Sequence, residues 1–158
     1  MSTSKSDSSA VLRRRIASRH FFIGWLALLI FLGLGAFLET LHAFKQGFYL
    51  DPGVRLRREM WTLAHAHGAV LAFVQFGFAA GLLHVGRWTT PRLKLVSFFL
   101  TDATVLIPLG FFLGGIWPTE SDPWVGVYLV PVGALLLFIA VVLILYSFRH
   151  RTKDDSTI

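Results

Sequence analysis

Residues 21–44 read FFIGWLALLIFLGLGAFLETLHAF, and this stretch decides the fold. It contains no Lys or Arg and one carboxylate, Glu39. At about 1.5 Å per residue, a helix of this length spans a hydrocarbon layer of about 30 Å. Three further runs, about 61–85, 93–116 and 124–148, have the same character. The pattern predicts an all-α integral membrane protein with four transmembrane helices. Short connections make sequential helices antiparallel neighbours, so an up-down four-helix bundle is expected.

Composition agrees. Only 15% of the 158 residues are charged and 54% are hydrophobic, with a mean hydropathy of +0.63. A soluble domain carries about 25% charged residues, so lipid is the expected covering. The length allows one domain, residues 21–148, with no internal repeat and no separate soluble unit. Residues 1–20 are Ser-rich and end in Arg13, Arg14, Arg15 and Arg19; they read as a disordered basic tail. Residues 149–158 form a polar C-terminal tail. The first apolar run is too long for a signal peptide and lacks a small-residue cleavage site, so it reads as an uncleaved helix. Cysteine is absent, which excludes disulfides and thiolate chemistry.

The net charge of +6 does not point to nucleic acid, because the basic residues flank apolar spans. With the N-terminus inside, inner segments hold Lys5, Arg13, Arg14, Arg15, Arg19, Arg87, Arg92, Lys94, Arg149, Arg151 and Lys153. Outer loops hold Lys45, Arg55, Arg57 and Arg58, so the bias is eleven to four; the last outer loop carries Glu120 and Asp122. Both termini are therefore expected on the cytoplasmic side, in a bacterial inner membrane. Trp25, Tyr49, Trp61, Trp88, Trp117, Trp124, Tyr128 and Tyr146 fall near span ends, where aromatics anchor. Leu50-Asp51-Pro52-Gly53 reads as a turn, with Gly53 free to take positive φ. Arg55, Arg57 and Arg58 are expected to solvate the outer loop.

Ionisable groups inside a span are costly and need a partner or a task. Glu39 and His42 share one face of the first helix, three residues apart, with Gly35, Ala36 and Ala43 on the same side. His65 and His67 lie one to two turns below Trp61 on the second helix. Measured from the outer surface, the four sit in one layer. His65 adjoins the small-residue face of Ala64, Gly68 and Ala72, along which helices approach closely. Glu39, His42 and His65 are therefore expected to converge, with His67 pointing elsewhere. Imidazole suits iron, copper and zinc, so a transition metal or haem is the expected cofactor. Glu39-x-x-His42 also occurs in ferritin-like di-iron sites, but the further carboxylates are missing here. At mid-depth Asp102 and Gln75 are expected to meet as a secondary polar pair or proton path. Pro108 favours a kink, and His20 and His84 are expected at the inner interface. Phosphate-loop, nucleophile-elbow and zinc-protease motifs are absent.

The stretch Ala64-His65-Ala66-His67-Gly68 resembles the histidine-bearing helices of haem-copper oxidase and nitric oxide reductase catalytic subunits. The resemblance covers a handful of residues in one helix. It implies a haem or copper ligand at His65 or His67.

The expected function is thus a small multi-pass membrane protein with a metal or haem site near its outer face. Redox or electron transfer follows, with membrane-complex partners or a homo-oligomer. Two alternatives stay open. One is a non-catalytic structural or assembly subunit whose buried polar groups form a packing network; the other is proton or small-substrate transport.

Overall fold

The computed structural model describes residues 3–84, 88–119 and 121–154. Arg87 and Glu120, used above for topology, lie outside them, as do Val85, the first two residues and the last four. The helices are α1 (Thr3–Ala43), α2 (Gly47–Leu50), α3 (Arg55–His84), α4 (Thr90–Gly114) and α5 (Leu129–Asp154), with 3-10 turns at Pro52–Val54 and Val125–Tyr128. Helix makes up 89% of the described residues, and no strand occurs among them. Four helices (α1, α3, α4 and α5) are long and apolar enough to cross a membrane.

The element boundaries differ from the sequence expectation in two instructive places. The stretch Thr3–His20 is helical and continuous with the first span, rather than disordered. Its apolar side explains this: Leu12, Ile16 and Ala17 recur at helical spacing and join the core formed by Phe78, Ala79, Leu82, Leu93 and Val96. The second long helix begins at Arg55, about six residues before Trp61, because Asp51 and Pro52 start a 3-10 turn that runs straight into it.

Close approaches set the α1–α3 register. A methyl group on Gly24 would strike the ring of Phe76, one on Gly35 would meet His65 at 2.5 Å, and one on Gly68 would enter the ring of Phe31. Residue numbers of facing pairs sum to about 100 throughout, as antiparallel helices require. The α3–α4 pair is the centre of the molecule. Buried residues make up 39% and 44% of the most apolar stretches of α3 and α4, against 17% and 11% for α1 and α5. Sequential long helices pack as neighbours, and α1 also touches α4. Among the described residues α1 and α5 do not meet, so the bundle is an open arrangement rather than a closed ring.

The outer turn also departs from expectation. Lys45, not Gly53, takes the left-handed conformation (φ 49°). It closes α1 through Gln46 N–H to Leu41 C=O (3.0 Å) and Lys45 N–H to His42 C=O (3.1 Å), the bond pair of a Schellman cap.

Replacing Gly68 by Ala is expected to force α1 away from α3. Over-packing costs about 1–3 kcal/mol, partly offset by about 1 kcal/mol of helix propensity. Gly33 has open space around its Cα, so Gly33→Ala should leave stability unchanged or raise it. Thermal unfolding of both variants in detergent measures the contrast; equal behaviour would remove the tight crossing.

Candidate functional site

A buried polar chain ties three helices together in the half of the bundle towards the start of α1 and the end of α5. His20 and Gln75 are fully buried, and Ser97 and Thr104 nearly so. His20 Nδ1 bonds Gln75 Oε1, and its Nε2 bonds Ser97 Oγ at 2.8 Å. Gln75 Nε2 donates to Leu100 C=O (3.1 Å) and to Thr104 Oγ1 (2.7 Å). Thr104 Oγ1 donates in turn to Leu100 C=O (2.8 Å). The directions are mutually consistent. Gln75 Oε1 can only accept, so Nδ1 of His20 carries the proton and Nε2 accepts from the Ser97 hydroxyl. Every polar atom of the two side chains is then satisfied. An edge contact with Phe78 (4.7 Å between ring centroids) seats the imidazole.

This chain corrects two expectations. His20 is a core residue joining α1 to α3 and α4, not an interfacial one. The helical continuation of Ile16 and Ala17 to His20 and Gly24 marks it in sequence, once residues before Phe21 are allowed into the helix. Gln75 meets His20 and Thr104, not Asp102. Gln75 does reach α4 at the level of Asp102, between Leu100 and Thr104, but Asp102 lies on another side of the helix. Leu100, Ala103, Thr104 and Ile107 are the buried residues at that level of α4. Asp102 instead follows Phe98 and precedes Val105 and Leu109 on the outward stripe, and those three are all exposed. Asp102 itself is half-buried, and its carboxyl makes no hydrogen bond or ion pair with a described residue.

The outer-half residues do not assemble into a shell. Among the described residues no group of three or more His, Cys, Asp or Glu side chains is placed to hold a metal ion. Glu39 points outward and is exposed. His42 is exposed, with Nδ1 3.3 Å from Leu38 C=O and its ring edge-on to Tyr49 at 5.1 Å. His65 is half-buried against α1, where Nδ1 donates to Phe31 C=O at 2.6 Å. His67 lies on another side of α3 and is exposed. Its Nδ1 donates to Leu63 C=O at 2.9 Å and its ring leans on Phe111. The cause is register. Because α3 starts at Arg55, His65 faces Gly35 and Phe31, about 6 Å deeper than Glu39. The described residues therefore do not fit an ion site built from Glu39, His42 and His65.

What the outer end does hold is a guanidinium staple. Arg57 Nη1 donates to Phe48 C=O (2.7 Å), Nε to Gly115 C=O (3.1 Å) and Nη2 to Ile116 C=O (3.1 Å). These groups lie just after α2 begins and just after α4 ends, so a cation meets otherwise unpaired carbonyls at a helix C-terminus. Arg57 also lies over the Trp61 ring, and Trp61 Nε1 donates to Phe112 C=O at 3.1 Å. Arg57 thus fastens the loop to the bundle instead of solvating it.

No protein-family model, curated protein or solved structure matches the chain. Its residues alone carry the functional argument.

A double-mutant cycle separates the two pairings. His20→Ala and Gln75→Ala should couple by about 0.6–1.7 kcal/mol, the range found for hydrogen bonds between membrane helices. Asp102→Asn and Gln75→Ala should be additive, since they share no partner. Chemical unfolding in detergent gives both numbers, and additivity of the first pair would dissolve the proposed chain.

Proposed function

We propose that this chain is an integral membrane protein, both termini cytoplasmic, that serves as a non-catalytic helical subunit of a larger membrane assembly. One observation carries the reading. Among the described residues the buried polar side chains His20, Gln75, Ser97, Thr104 and Ser147 each have a partner inside the bundle. The one buried polar side-chain atom without a partner among them is the indole N–H of half-buried Trp88, outside this network. A fully satisfied network rigidifies a core and specifies its register; it offers no open position to a ligand. The length and apolar character of four helices support insertion, and the eleven-to-four distribution of basic residues supports the orientation.

A specific feature favours redox chemistry as the second reading. His42, His65 and His67 each direct Nδ1 at a backbone carbonyl. A carbonyl accepts only, so the proton sits on Nδ1 and Nε2 keeps its lone pair; the His65 ring packs against Gly35, whereas His42 and His67 are exposed. That arrangement also orients metal-bound imidazoles. One of these imidazoles would hold the metal or haem, and the bound group would supply electron transfer.

Topology and cofactor content are measured separately. The chain has no cysteine, so single cysteines at Ser4 or Thr157 report cleanly. Both should react with an impermeant maleimide only after the membrane is opened; labelling in intact cells overturns the orientation.

The protein purified in mild detergent should show neither a Soret band nor stoichiometric metal. A Soret band that disappears in His67→Ala or His65→Ala would replace the structural reading with the redox one.

A further inference from the structure

We propose that the outward face of α4 around Asp102 docks a membrane-spanning helix of another protein, one carrying Lys or Arg at mid-depth. The proposal rests on the membrane insertion argued above. Asp102 is the thirteenth of the 25 residues of α4, about 18 Å from either end. It stands on a stripe with Phe98, Val105 and Leu109, which are 57%, 54% and 40% exposed. A carboxyl group at that depth, half-covered and without a partner among the described residues, is expensive in hydrocarbon.

The surroundings suit a helix. Val105 and Leu109 also line an apolar groove of about 460 Å³ between α1 and α4, whose opposite wall includes Ile23, Leu26, Ile30 and Leu34. The groove continues the stripe, so a helix lying in it would bring its own mid-span side chain to Asp102. Small residues at its floor (Ala27 on α1) and Pro108 on α4 leave room for close approach.

Charge identifies the occupant. A second copy of this chain places no described cation at the level of Asp102 itself. The nearest described basic residue on α4 is Lys94, eight positions away and about 12 Å along the axis. Arg19 on α1 is exposed and nearer in level, since it adjoins His20, which bonds Ser97 five residues (about 7 Å) towards the inner end from Asp102; the other described basic side chains lie further away. His20, level with Ser97, is buried and committed to Gln75 and Ser97. Two copies meeting through this stripe around an axis normal to the membrane would set Asp102 against Asp102, where like charges repel. A foreign helix with a basic residue gives the carboxylate the counter-charge that this chain lacks at that level.

The test uses energy transfer in phosphatidylcholine vesicles. Full-length protein carries a donor on Ser121→Cys in the exposed outer loop. The acceptor sits on a synthetic Leu/Ala transmembrane peptide with one central Lys, or on the same peptide with Leu in its place. The Lys peptide should associate at least tenfold more strongly. Asp102→Asn should reduce it to the level of the Leu peptide, while Asp102→Glu should retain it. Thermal unfolding of each variant checks the fold, and the two peptides on the unsubstituted protein decide the matter even if Asp102→Asn fails to fold. Equal transfer from both peptides overturns the proposal, as does an Asp102→Asn protein that still prefers Lys. Asp102-dependent transfer between two labelled copies without peptide also overturns it, assigning the face to self-association. Cysteine topology reports insertion independently, so correct topology with a failed peptide assay counts against this face alone.

Discussion

The hydrogen-bonded chain Ser97–His20–Gln75–Thr104 is the constraint on which the helix arrangement depends. An apolar interior offers polar groups no water, so a side chain placed there must find its complement or leave the core. His20 finds one on each of two other helices. Sliding α1 by one residue would rotate His20 about 100° away from both partners. Sterics reinforce the same register: Phe31 fills the space left by Gly68, and His65 that left by Gly35. Direction comes from the hydrogen bonds and distance from the glycines. Together they account for an α1 that stays attached although it meets only one face of the α3–α4 pair.

The opposite end is fastened by different chemistry. There the helices stop, and their terminal carbonyls need donors. Arg57 serves three of them from one planar group, which a lysine ammonium could not match in geometry. Tyr49, 1% exposed, and the parallel rings of Trp61 and Phe112 close the layer beneath it. A polar clamp in one half and a guanidinium-aromatic clamp in the other leave the middle to small-residue packing.

Four spans are legible in the sequence because hydropathy reports the sum over a helix, and that sum is large here. Register and azimuth are not, because they depend on where each helix begins and which side it buries. Apolar character alone starts the second long helix at Trp61 and so puts His65 in the layer of Glu39, whereas the helix begins at Arg55. Ending the first one at Phe21 hid His20, although Ile16 and Ala17 already continued its apolar face. Asp102 illustrates the remaining gap: counting residues from the inner surface gives its level, whereas its side follows only from knowing that Leu100 and Thr104 bury against α3. The Ala64, Gly68 and Ala72 stripe was readable as a contact face, and all three residues are buried.

The hydrogen-bonding inventory of Gln75 explains why Asp102 stands apart. A glutamine amide has one oxygen and two N–H groups. The oxygen is engaged with His20, and the two N–H groups with Leu100 C=O and Thr104 Oγ1. A carboxylate turned inward at this level would compete for donors already in use, and leaving one buried group unpaired costs about 1–3 kcal/mol. The core therefore has no vacancy for a second acidic group, and the outward stripe is the one place at that depth where it does not disturb the chain. Asp102, kept off the satisfied core, has its complement to find outside the molecule, and in the proposed membrane setting the basic residue of a docked helix is the partner that matches it.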